Sequence, residues 1–250
     1  MTTTIKYGNS TIATAENQTK TLLTANKYVG NNIEITDVSS GGGGFIVDDI
    51  AMRTISGNIS GSATTIGYYA FYDCQLLTTV SFPNAISIGN TAFCFCNALT
   101  TADFPNATTI GNYAFEYCST LTTTSFPNVT SIGSYAFAYC SALTIASFPN
   151  ATTIGYYAFY SCSALTTVSF PNVLSISNYA FRSCYNLLSF YLLGSSIPTL
   201  GTSVFFSTPI GGNTTSTGGV YGSIFVPSSL YNSYLTATNW SAYSSRIVSV

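Results

Sequence analysis

The chain of 250 residues contains no histidine. That removes Ser-His and Cys-His nucleophilic pairs, imidazole general bases and most zinc sites. The groups left that could do chemistry are seven cysteines, eight carboxylates and the run Gly41-Gly42-Gly43-Gly44. Six cysteines, Cys74, Cys96, Cys118, Cys140, Cys162 and Cys184, recur at a 22-residue step, and Cys94 with Cys96 forms the one close pair. A metal needs three or four ligands converging on a point, whereas one sulfur per step makes a line, so no metal and no cofactor are expected. At a strand spacing of about 4.8 Å neighbouring cysteines come near disulfide range, but their Cβ vectors run parallel. A buried, reduced thiol ladder is predicted, with Cys94, outside the register, the thiol expected to be exposed. Glycoside cleavage would need two carboxylates about 5 to 10 Å apart in a cleft. Asp48 and Asp49 are adjacent and would point to opposite faces of a strand, while Asp73, Asp103 and Glu116 are scattered over different repeat positions. Solvated surface is expected for all of them. The glycine run is not followed by Lys-Ser/Thr and does not open a helix, so it reads as a linker and not a phosphate loop. No catalytic residue is expected, and the chain reads as a non-enzyme.

The elements that position these residues follow from the repeat. The unit Ile-Gly-x-x-Ala-Phe-x-x-Cys-x-x-Leu-x-x-x-x-Phe-Pro-Asn places Phe71, Phe93, Phe115, Phe137, Phe159 and Phe181 in one register. A unit of 22 residues cannot close its own core, so successive copies must stack. Within a copy, Leu77 to Phe82 alternates, with Val80 and Phe82 on one face and Thr79 and Ser81 on the other, which is a strand. Pro83 ends it by withdrawing a donor, and Asn84 suits the turn. Ile88-Gly89 then leads into Thr91-Ala92-Phe93, where the glycine permits a sharp turn and a helical turn carries Phe inward. The fold predicted is an α/β repeat: a solenoid of 22-residue rungs, one short strand plus a helical turn each, preceded by a small β module.

Residues 1–40 carry short alternating segments divided by Asn and Gly turns and form that module. Residues 41–44 are the linker, 45–60 an atypical N-terminal cap, 61–205 the solenoid and 206–250 a C-terminal cap. In the last, Ile224-Phe225-Val226 reads as the final strand, Ser228 as the N-cap of a short helix, and Trp240 with Tyr243 as the seal.

Charged residues make up 6% of the chain, about a quarter of the usual share. Without a basic cluster there is nothing to neutralise phosphates, so no nucleic-acid partner is expected. No apolar run approaches the roughly 18 residues of a membrane span. Met1 to Ile5 has neither a basic n-region nor an apolar h-region, so no Sec-type signal is expected there.

The repeat unit resembles the BspA-type leucine-rich repeat over about residues 55 to 205. The tail from Val226-Pro227-Ser228 to Trp240-Ser241 is similar to the ending that follows such repeats in gut-bacterial members. Residues 1–40 more weakly resemble a module of phage and prophage tail-associated proteins. The first resemblance implies a leucine-rich-repeat solenoid with an adhesion or protein-binding role on an extracellular or cell surface. The last implies a spacer or particle component as the alternative.

Two surfaces qualify for binding a protein or glycan. The outward strand positions are Thr79 and Ser81, Thr101 and Asp103, Thr123 and Ser125, Ile145 and Ser147, Thr167 and Ser169, and Ser189 and Tyr191; six rungs predict a flat, hydroxyl-rich sheet some 25 Å long. The alternative is a column of Tyr69, Tyr113, Tyr135, Tyr157 and Tyr179, broken at Thr91. Tyrosine offers large contact area at low entropy cost, although the same rings could simply shield the edge of the turn layer.

Overall fold

The structure, a computed structural model, describes residues 2–7, 10–16, 32–36, 56–61, 63–212 and 220–250. The expected glycine linker at 41–44 and most of the 45–60 cap lie outside these residues, as do residues 213–219 of the C-terminal cap.

Each rung contributes two strands to a solenoid. The second is only two residues long, and seven of them, from Thr65–Ile66 to Thr199–Leu200, form one continuous parallel sheet. The longer outward strands form two sheets instead of the single one expected. Leu76–Ser81, Thr101–Asp103 and Thr123–Ser125 belong to one, and Ile145–Ser147, Thr167–Ser169 and Ser189–Tyr191 to the other. The division coincides with Thr124, which brings a hydroxyl to the inward place held elsewhere by Val80, Ala102, Ala146 and Val168, and which stays half-buried where those are buried. The N-terminal strands Thr2–Tyr7, Ser10–Glu16 and Asn32–Thr36 extend the first sheet, the last lying parallel beside Ser56–Gly61.

The third side of each rung corrects the expectation of a helical turn. Residues 68–73 and their equivalents are a run of turns in which alternate N–H groups leave the rung. Tyr113, Phe115 and Tyr117 donate to Ser134, Ala136 and Ala138 of the next copy at 2.8 to 2.9 Å, while Glu116 and Cys118 bond three residues back. Turning every second amide outward requires a left-handed backbone twice per rung, seen at Tyr113 (φ 59°) and Tyr117 (φ 60°) and repeated along the array. Such conformations cost about 1 to 2 kcal/mol in L-residues; here they are offset by the inter-rung hydrogen bonds they create. The glycine before this run has a different role from the one expected. A Cβ on Gly133 would sit 2.5 Å from the carbonyl carbon of Gly111, so the residue is small because the preceding rung's backbone passes against it. Ser177 holds the same place in the sixth rung, which shows that the stack can yield there once.

Two phenylalanine columns fill the interior. From Phe71 to Phe181 successive rings stack at 5.0 to 5.3 Å and within 8° of parallel. Phe82, Phe104, Phe126, Phe148 and Phe170 form the second at 5.7 to 5.8 Å. The displaced copy at 200–205 continues the first column, with Phe205 6.2 Å from Phe181. The six in-register cysteines lie fully buried beside these rings and are reduced. Their position has a reason that spacing alone did not show: Cys96, Cys118, Cys140, Cys162 and Cys184 each donate an S–H to the carbonyl of the phenylalanine 25 residues earlier, at 3.0 to 3.2 Å. The Phe-Pro-Asn asparagines act likewise outside, Asn106, Asn128, Asn150 and Asn172 donating to the preceding rung's proline carbonyl at 2.7 to 2.8 Å.

At the C-terminal end Trp240 is buried and its Nε1–H donates to the Pro198 carbonyl at 2.7 Å. Tyr243 packs edge-on against Phe205 at 5.2 Å, covering the last ring of the first column. The helix is Tyr231–Thr236, flanked by Leu230 without a side-chain cap, so Ser228 does not play the N-cap role expected of it. One further strand, Ile247–Ser249, pairs parallel with Ser223–Val226 and was not read from the sequence.

Candidate functional site

Among the described residues no three metal-binding side chains gather, and no helix is long and apolar enough to cross a membrane. The carboxylates correct one expectation. Asp73 is buried and accepts from Gln75 Nε2 at 2.7 Å, and Glu116 is half-buried, not solvated. Cys94 corrects another, being 2% exposed, with its thiol donating to Glu116 Oε2 at 3.6 Å. Burial holds the Cys94 thiol well above its ordinary value and also raises the Glu116 carboxyl.

The outward strand positions form two sets because of the break after Thr123–Ser125. Thr79 and Ser81 are partly engaged by neighbours: Thr79 donates to Asn58, and Ser81 donates to Asp103 at 3.1 Å. Thr101, Thr167 and Ser169 are half-buried, Thr123 and Ser147 exposed, and Ile145 interrupts the hydroxyl row at 58% exposure. Tyr191 stacks on Phe225 at 4.6 Å.

The turn side is more continuous. Tyr113, Tyr135, Tyr157 and Tyr179 stack at 4.8 to 5.0 Å. Stacking consumes the ring faces and leaves edges and hydroxyls outward. A second column, unnoticed in the sequence although it recurs at the same step, runs through Phe95, Tyr117 and Tyr139 at 4.8 and 4.3 Å. Tyr68 and Tyr156, the residues before the first column, stand edge-on to it and are 52% and 39% exposed. Burial and the neighbouring hydroxyls push the phenols of Tyr135 and Tyr139 up, so these hydroxyls stay protonated at physiological pH. Its cation is Arg182, whose guanidinium lies 5.5 Å from the Tyr179 ring centre and 4.8 Å from that of Phe206.

Where Thr91 stands in place of tyrosine the first column has a gap. A cleft of about 360 Å³ opens there, lined by Tyr68, Tyr69, Tyr72, Asn90, Thr91, Cys94, Phe95, Asn112, Tyr113 and Glu116.

Comparison with known proteins adds the lineage. The profile of the BspA type leucine rich repeat region matches residues 51–141 and 108–218, with six copies. Among solved structures, the fold is similar to a leucine rich repeat protein of T. pallidum at 24% identity and a TM-score of 0.57, covering 71% of this chain and 81% of that one. A leucine rich cell surface protein of Faecalibacterium prausnitzii A2-165 (22% identity, TM-score 0.39, 72% and 70% covered) and a leucine-rich repeat protein of Bacteroides ovatus (19%, 0.44, 70% and 56%) also match. Comparison with curated proteins gives no match. The resemblance of residues 1–40 to tail-associated proteins finds no support among these relatives. With the repeat profile spanning well over half of it, the chain belongs to the BspA-type leucine-rich repeat family.

Proposed function

We propose that this is a non-enzymatic adhesion or binding protein acting at a cell surface, whose rigid solenoid contacts a protein or glycan through its aromatic turn side. The observation that carries this is the pair of self-stacked aromatic columns, which present rows of ring edges and hydroxyls on a regularly repeating, charge-poor support. Large aromatic area combined with polar tips is what recognition surfaces are rich in, because such side chains lose little rotamer entropy on contact. The N-terminal β module, set on the edge of the first sheet, then displays or attaches the array. The outward strand columns are the competing surface, weakened by the break in their sheet and by Ile145.

Binding of the intact chain to protein and glycan arrays tests the reading. Tyr135→Glu with Tyr157→Glu should abolish capture, while Thr123→Glu with Ser125→Lys should leave it intact. Loss only with the second pair would move the site to the strand columns. Capture indifferent to both pairs would leave the solenoid as a spacer.

A further inference from the structure

We infer that the cleft at Thr91 is a binding site for an alkylated ammonium group, such as the head of choline or a methylated lysine side chain. The steps of the tyrosine column are 4.8 to 5.0 Å, so the missing ring leaves Tyr69 and Tyr113 two rungs, or about 10 Å, apart. A cation midway lies about 5 Å from each flanking ring, within the roughly 6 Å over which ring quadrupoles attract positive charge. Tyr72 and Phe95 add aromatic walls, and Glu116 supplies a carboxylate to the lining. The chain shows the complementary arrangement on the same side. Arg182 occupies in its rung the place that Glu116 occupies in its own, and its guanidinium packs on Tyr179 and Phe206. There the cation is supplied by the protein. At Thr91 the same kind of aromatic surroundings carries an anion, and the two arginines among the described residues, Arg182 and Arg246, are engaged on other rings. Glu116 is half-buried with Cys94 as its hydrogen-bond donor, so its charge is left for an incoming group to neutralise.

This inference deepens the binding reading by naming a ligand class for one end of the aromatic side, and the two can fail separately: a cleft that ignores ammonium groups leaves capture through Tyr135 and Tyr157 untouched. The test is a titration of the intact chain with choline, followed by tyrosine ring resonances in NMR and by calorimetry. Saturable binding is expected, with shifts confined to rings of the cleft. Thr91→Tyr, which completes the column with the residue used by four later rungs, should abolish it without loss of melting temperature, and Glu116→Gln should weaken it about tenfold or more. Trimethyl-lysine should bind like choline, whereas phosphocholine, whose phosphate meets Glu116, should bind less well; the reverse order would assign the ammonium to a lipid headgroup. Equal affinity for the neutral isostere 3,3-dimethylbutanol, displacement of choline by a simple methyl glycoside, or unchanged choline binding in Thr91→Tyr would each overturn the proposal.

Discussion

Replacing Phe137 by alanine tests the reasoning about the array most directly. The ring is fully buried and stacks at 5.3 Å on Phe115 on one side and on Phe159 on the other. It also meets Phe126 at 5.9 Å and Phe148 at 5.6 Å from the second column. Truncating a buried phenylalanine costs about 3 to 5 kcal/mol in transfer and cavity energy. Four aromatic neighbours place this site toward the upper end, since ring pairs add about 0.5 to 1.5 kcal/mol each beyond area burial. The flanking rungs cannot collapse into the hole, because their backbones are already held at hydrogen-bond distance on every side of the rung. In a linear array the loss also weakens the coupling between both halves. At about 2 to 4 °C per kcal/mol for a chain of this size, the melting temperature should fall by about 10 to 20 °C. The assay is calorimetry with a urea titration followed by circular dichroism, and Ser147→Ala, at an exposed position, should change stability by less than about 0.5 kcal/mol. A Phe137→Ala protein within 1 kcal/mol of the parent would refute the assignment of this column to the core.

Further outcomes are expected. Thiol titration of the native protein should label almost nothing, because burial holds Cys74, Cys118, Cys140 and Cys184 protonated well above the usual thiol range and Cys94 is buried as well; all seven should react in denaturant, and rapid labelling of the ladder at pH 8 would contradict the structure. Gly133→Ala should cost about 1 to 3 kcal/mol by forcing two backbones apart, read as a lower urea midpoint. The Glu116 carboxyl titrates higher folded than unfolded, so its contribution to stability is full below the unfolded value and is lost as pH rises through the folded one. Glu116→Gln should therefore be more stable than the parent at neutral pH, with the advantage vanishing in acid; an advantage present at pH 4 and absent at pH 7 would reverse the argument. Tyr234→Phe should hold or raise stability, because among the described residues the buried hydroxyl finds no partner and burial pushes its phenol up to about 12.

Much of this molecule could be read from its order of residues, for a definite reason. A 22-residue unit that repeats Ile, Ala, Phe, Cys, Leu and Phe at fixed places leaves one way to bury them, which is to stack the copies, so the solenoid, the two inward phenylalanine positions and the thiol ladder follow from periodicity. The break at Thr91 and the Tyr column were legible on the same grounds. What periodicity cannot express is how a backbone satisfies its amides between copies. Whether residues 68–73 coil into a helical turn or send alternate N–H groups to the next rung depends on a neighbour 22 residues away, and only the stacked structure favours the latter. The division of the outward strands at Thr124, the burial of Cys94 under Glu116 and the cleft left by one missing tyrosine are of the same kind. Each arises where a side chain differs from its equivalents one rung above and below, and the consequence of that difference is set by spacing across the stack.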